Sequence, residues 1–204
     1  MRAFRRLVSA PPLPLSAAPP PPSRASHDLR LPHTMFPQAR RLERVLHAHL
    51  GPTNSGKTHA ALKALRSARS GVYCGPLRLL AWEVRDELSA GGLPCSLVTG
   101  QERHEEPGAR HTACTVEMAS TRAPVDVAVI DEVQMLAHPE RGWAWSRALL
   151  GLRADAVHVC GSADALPLLR SLAAACGDTL VEHEYDGGHF PGEGASRALG
   201  EVGL

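Results

Sequence analysis

Residues 51–58 read GPTNSGKT, and the fold assignment grows outward from them. The stretch satisfies G-x-x-x-x-G-K-[ST] at every required position. Before it, RVLHAHL (44–50) has the length and apolar character of a strand; after it, residues 57–69 show helical periodicity. A glycine-rich turn between strand and helix presents unpaired backbone amides to an anion. Gly51, Pro52, Thr53, Asn54, Ser55 and Gly56 are therefore expected to wrap the phosphates of ATP. Lys57 is placed to reach the β/γ-phosphates, and Thr58 to take the Mg2+ ion that accompanies them. The chain has 20 arginines and only two lysines, one of which is Lys57. A compact ammonium fits between phosphates where a planar guanidinium does not.

Such a loop needs an acid at the end of a neighbouring strand. VDVAVIDE (125–132) is nearly continuous apolar sequence closed by two carboxylates, as expected of a central parallel strand covered on both faces. Asp131 is expected to hold the metal together with Thr58. Glu132 beside it suits a general base that activates water, so hydrolysis is favoured over phosphorylation of a bound substrate. GVYCG (71–75), CSLVTG (95–100), AVHVCGS (156–162) and TLVEHEY (179–185) read as further strands. RLLAWEVRDELSA (78–90), WAWSRALLGL (143–152) and ALPLLRSLAAAC (165–176) read as helices. The alternation predicts an α/β domain with a parallel sheet flanked by helices and ligands at the carboxyl ends of its strands.

The length of 204 residues suits one domain. Net charge is +1, and the first 26 residues hold Arg2, Arg5, Arg6 and Arg24 with no acid, which leaves the remainder slightly acidic. A domain-wide basic patch is thereby excluded, although nucleic acid can still be held by backbone amides and a few placed side chains. Five scattered cysteines without a CxxC pair argue against both a disulfide framework and a zinc ribbon. No apolar run reaches the roughly 18 residues of a membrane span. Residues 1–26 combine a basic amphipathic start with a proline-rich stretch and predict a mitochondrial presequence. Residues 27–43 form a lead-in, 44–186 the nucleotide-binding domain, and 187–204 a glycine-rich tail expected to be disordered.

Beyond the P-loop, DEVQ (131–134), with Gln134 as its last member, is a DExQ form of a helicase acid motif. Together with SGVYCGPLRLLAWEV, LPCSLVTGQER, CTVEM, VAVIDEVQM and RGWAWSRALLGL, it makes the chain resemble the mitochondrial degradosome RNA helicases of the suppressor-of-Var type. The resemblance runs from Asp28 to Asp186 and implies the first RecA-like domain of a superfamily 2 enzyme. It implies that Lys57, Asp131, Glu132 and Gln134 are catalytic. It further implies that Pro76, Leu77, Arg78, Thr99, Gly100 and Thr115 lie along an RNA backbone path, and that Gly161 and Ser162 couple nucleotide state to a second domain. An exoribonuclease partner in the mitochondrial matrix, with a second location in the nucleus, belongs to the same expectation.

The family's second RecA-like domain, with its arginine fingers, should begin after Asp186, where this sequence has its tail. The expectation is a single lobe that binds ATP without unwinding RNA by itself. Two rivals stand beside this reading. A thymidine-kinase-like enzyme shares the loop and the acid motif but needs a cysteine-paired zinc lasso, and a non-catalytic module could hold ATP or RNA without turnover. His47 and His49 alternate on one strand face but lack a third metal ligand at a convincing spacing. Trp143 and Trp145 could be stacking platforms for bases, but two residues apart on a helix they point to different faces, so at least one is expected in the core.

Overall fold

The computed structural model describes residues 31–185; the presequence-like segment 1–26 and the tail 187–204 lie outside the described residues. Eight strands form one sheet: β1 Val45–Leu50, β2 Gly71–Gly75, β3 Cys95–Val98, β4 Arg103–His104, β5 His111–Thr115, β6 Pro124–Ile130, β7 Arg153–Gly161 and β8 Thr179–Glu184. Four α-helices connect them: α1 Lys57–Ser67, α2 Arg78–Ala90, α3 Gly142–Gly151 and α4 Leu166–Cys176. The strand order is β4-β3-β5-β2-β6-β7-β1-β8. Every pair is parallel except β3 with the two-residue β4, which folds back as an edge.

The helices divide between the two faces. Ala61, Leu62 and Leu65 of α1 and Ala81, Val84 and Leu88 of α2 bury against Tyr73, Leu97, Val129 and Cys160 on one face. Trp145, Ala148 and Leu149 of α3, with Leu169 and Ala173 of α4, bury against Leu46, Ala48, Ile130, Val157 and Val159 on the other. Alternate residues of the central strands therefore serve opposite cores, which is why their sequences read as unbroken apolar runs. On the α3 side the helices do not reach the β5–β2 end, and a groove of about 720 Å³ remains there, rimmed by Arg103, Arg110 and Arg122.

Element ends follow local chemistry. α1 stops at Ser67, two residues short of the expected end, because Ala68 is already extended (φ −80°, ψ 153°). The third strand ends at Val98, since Thr99 and Gly100 enter a turn. Gly177 adopts φ +71° and closes α4, a conformation that costs a side-chain-bearing residue about 1 kcal/mol. The described part of the lead-in, residues 31–43, is docked on the domain. Phe36 packs on Gly151, and Arg40 donates to the carbonyls of Leu150 and Cys176, both at 3.1 Å. The buried Arg44 guanidinium donates to Leu149 O and Leu152 O at 3.0 Å and pairs with Asp178. These cations meet carbonyls at the ends of α3 and α4, where the helix dipole favours positive charge.

Candidate active site

The strand order places β1 between β7 and β8 and sets β6 one strand further away, so the loop after β1 faces the carboxyl end of β6 across β7. Residues 51–58 wrap as the sequence predicts, with Asn54 (φ 61°) and Gly56 (φ 85°) in left-handed conformations that turn successive amides inward. Gly51 admits no side chain, since a Cβ there would lie 2.7 Å from the carbonyl oxygen of Tyr185, just beyond β8. Its N–H donates to Gly161 O at 3.1 Å, tying the loop to the end of β7. The loop, His59, Glu132, Gln134, Gly161 and Ser162 line a cleft of about 430 Å³. That volume lies within the roughly 300–1,000 Å³ usual for ligand sites.

Asp131, between Thr58 and Glu132 of the cleft lining, is buried, only 6% exposed. Thr58 Oγ1 donates to its Oδ1 at 3.3 Å and Tyr73 donates from its phenol to Oδ2 at 3.1 Å. The Glu132 N–H donates to Oδ1 at 3.0 Å. Trp145 fixes the backbone by donating from its indole to Asp131 O at 2.8 Å. Burial, reinforced by the Glu132 charge, raises the Asp131 pKa despite these donors. A buried carboxylate held above its ordinary range, with a hydroxyl facing it, is a donor set suited to a divalent cation. Lys57 Nζ rests on the Pro52 carbonyl, a contact that a phosphate oxygen can replace.

Glu132 carries a left-handed backbone (φ 54°, ψ 49°), one of two such non-glycine residues among those described, both lining the cleft. Strain of this kind costs on the order of 1 kcal/mol and concentrates at functional sites. Its carboxylate accepts from Gln134 Nε2, and Gln134 Oε1 in turn accepts the Ser162 N–H at 3.2 Å. A Cβ on Gly161 would collide with Gln134 Oε1 and approach Val133 Cγ1 to 2.9 Å. Lys57, Thr58, Asp131, Glu132, Gln134, Gly161 and Ser162 are thus brought together as one contiguous constellation.

The other sequence-derived residues gather on the opposite half of the same edge, at the ends of β2, β3 and β5. Leu77 is 57% exposed, and Arg78 and Gly100 are also exposed. Thr99 is buried, and its hydroxyl accepts the N–H groups of Gln101 (3.3 Å) and Glu102 (3.2 Å). It shapes the turn instead of facing outward. Thr115 is half-buried at the end of β5.

Tyr73, Arg141 and, beyond His47 and His49, the histidines of a cluster escaped the sequence reading. Tyr73 holds Asp131, and the polar tip of an aromatic inside a central strand is the signal that could have shown it. Arg141 donates to Glu117 Oε1 (2.7 Å) and Pro76 O (2.8 Å), joining two loops of the carboxyl edge; nothing local announces it. His47 and His49 of β1, His158 of β7 and His183 of β8 form a stacked ladder, with ring centroids 4.5 Å apart for His47–His158 and 4.4 Å for His49–His183. His49 shares hydrogen bonds with His158 (2.8 Å) and the Tyr185 hydroxyl (2.7 Å). Burial lowers the pKa of all four, His49 to about 3 and His158 to about 4. No group of three metal-ligating side chains occurs among the described residues.

Comparison with known proteins bears on the whole constellation. The DEXQ-box helicase domain of Suv3 matches residues 32–185. The ATP-dependent RNA helicase SUV3L, mitochondrial, of Oryza sativa subsp. japonica is 54% identical over 162 residues, covering 79% of this chain and 22% of that protein. The human ATP-dependent RNA helicase SUPV3L1, mitochondrial, is 51% identical over 162 residues, covering 78% and 21%. The chain therefore spans about a fifth of the length of these relatives. Among solved structures, the C-terminal domain of the DEAD-box protein Dbp5 gives a TM-score of 0.50 at 13% identity, over 69% of this chain and 90% of that one, in keeping with a RecA-like fold. With the match reaching from the docked lead-in to Tyr185 and including every residue of the cleft, the chain belongs to the family of Suv3 DEXQ-box helicase domains.

Proposed function

We propose that this domain binds ATP with Mg2+ in the cleft over residues 51–58 and, as the first lobe of a mitochondrial RNA helicase, couples ATP hydrolysis to RNA unwinding in RNA turnover. The observation that carries the reading is the continuous link from Thr58 through Asp131, Glu132 and Gln134 to Ser162. Thr58 and Asp131 are the residues suited to hold Mg2+, which would neutralise phosphate charge as the terminal phosphoryl leaves. Lys57 supplies the fixed cation at the phosphates. Glu132 takes the proton of the attacking water, and Gln134, bonded both to Glu132 and to the backbone at Ser162, reports the state of that carboxylate to the end of β7.

Leu77, Arg78 and Gly100 offer exposed groups to an RNA strand, Pro76 and Thr115 shape its track, and Thr99 orders the turn that presents Gly100. The names of the relatives support both the RNA substrate and a mitochondrial site of action, in keeping with residues 1–26. An exoribonuclease partner and a second, nuclear location are parts of the same proposal drawn from the family resemblance. Family membership speaks against the kinase rival. Titration calorimetry of the 204-residue chain with ATP, with and without Mg2+, tests the reading. Metal-dependent binding that weakens on the order of 100-fold in Lys57→Ala is expected, and equal heats for the two proteins would overturn it.

A further inference from the structure

The three tryptophans are used differently. Trp145 is fully buried against Asp131, and Trp82 donates its indole N–H to Glu102 Oε1 at 2.8 Å. Trp143, at the start of α3, is 57% exposed. It is nevertheless held in place. Arg147, one turn further along α3, sets its guanidinium 5.9 Å from the Trp143 ring centre. The same guanidinium donates to Glu117 O at 2.7 Å and Ala119 O at 2.9 Å. No carboxylate pairs with it among the described residues, and its Nε is buried without a partner. Arg141, two residues before Trp143, anchors the start of α3 to Glu117 and Pro76. Arg147 therefore links the indole to the 116–119 turn that follows β5, a turn that carries the exposed Met118.

Through Arg141 and Arg147 this end of α3 is tied to Pro76 and to the turn that follows Thr115, on the side of the edge assigned above to nucleic acid. An exposed aromatic ring with one face steadied by an uncompensated guanidinium has the makings of a base-stacking platform, since every base offers a π-face and the strand brings negative charge. We propose that Trp143 stacks a nucleobase of the single strand that passes over Pro76 and Thr115, with Arg147 holding the ring and lending it positive potential. The proposal rests on the RNA-binding reading and assigns a contact that the P-loop and acid-motif chemistry does not require.

The test pairs a single-stranded uridine oligomer with an abasic strand of equal length, each titrated into the 204-residue chain and its Trp143→Ala and Trp143→Phe variants. Binding is followed by anisotropy of the labelled strand and by tryptophan emission. The base-bearing strand should quench emission in the parent chain, and quenching should be largely lost in both variants. Trp143→Ala should weaken the base-bearing strand by about tenfold, as expected of one lost stacking contact. Its affinity for the abasic strand should not change, and Trp143→Phe should recover most of the loss. Equal affinity of parent and Trp143→Ala for the base-bearing strand overturns the proposal while leaving RNA binding intact. An equal loss for both strands also overturns it, because Trp143 would then shape the path without stacking. Absence of any anisotropy change in the parent sinks the RNA-binding reading and the proposal with it.

Discussion

On the β1, β7 and β6 side of the sheet's carboxyl edge, polar groups converge on a cleft; on the β2, β5 and β3 side, most of them are already bonded to one another. Lys57, Thr58, Glu132 and Gln134 line one space, and the Asp131 carboxylate, bonded to Thr58, is kept behind it against the cost of burial. Across the sheet, Thr99 binds its own turn, Arg78 binds Gln101, and the Pro76 carbonyl is taken by Arg141. In the proposed reading, the first half suits a compact, highly charged ligand, and the second would offer a long polymer a rigid track of side-chain faces and a few amides. A phosphate cluster rewards convergent donors, whereas a strand of many weak contacts rewards a firm shape.

The comparison breaks if the cleft is not catalytic. Glu132→Gln should leave ATP affinity within about twofold while hydrolysis falls by roughly 10² to 10⁴, the usual contribution of a general base. Turnover at the parent rate, measured by phosphate release in any preparation whose parent domain hydrolyses ATP, would remove Glu132 from that role. Lys57→Ala acts on binding itself, with a loss on the order of 100-fold in calorimetry because a charge-assisted contact to phosphate disappears.

Two glycines sharpen it further. Gly161→Ala should destabilise the domain by about 1–3 kcal/mol in chemical denaturation, since its Cβ meets Gln134 and Val133 and the core must shift. Gly100→Ala, on the strand side, meets nothing within 4 Å and should stay within about 0.5 kcal/mol of the parent. Similar costs at both positions would mean that the two halves are equally constrained.

A last contrast concerns acid. The histidine ladder belongs only to the nucleotide half, and its members are held neutral by burial. With folded values of about 3 for His49 and about 4 for His158 against 6.5 when unfolded, the unfolded chain binds more protons between those limits. Their contribution is complete above pH 6.5 and is lost as pH falls toward 4. Between pH 7 and 5.5 each should remove on the order of 1 kcal/mol. Thermal melts across that interval should show the loss, and His49→Gln with His158→Gln should flatten it. An unchanged slope in the double variant would place the acid-sensitive groups elsewhere.

The phosphate loop, the acid pair and most of the helices were legible because each depends on local pattern: glycine spacing, an apolar run closed by carboxylates, a 3.6-residue period. The strand β5 was not singled out as an element, since HTACT has neither alternation nor a long apolar run, and only its place between β2 and β3 makes it a strand. The Tyr73–Asp131 bond and the Arg141 clamp join segments 58 and 65 residues apart and appear only once the sheet order is known. Trp143 and Trp145 separated into one exposed and one buried ring, as two residues apart on a helix must when one face is core.

The ladder has a practical consequence for spectroscopy. Imidazoles stacked at 4.4–5.4 Å shift one another's proton resonances through ring currents, and that effect changes steeply with separation. His49 lies two residues before Gly51, and the Tyr185 that bonds it also presses on Gly51. If nucleotide moves the phosphate loop as the proposed function requires, the histidine ring signals should shift with it, giving a magnetic-resonance readout of occupancy that needs no label and no change to a residue of the cleft.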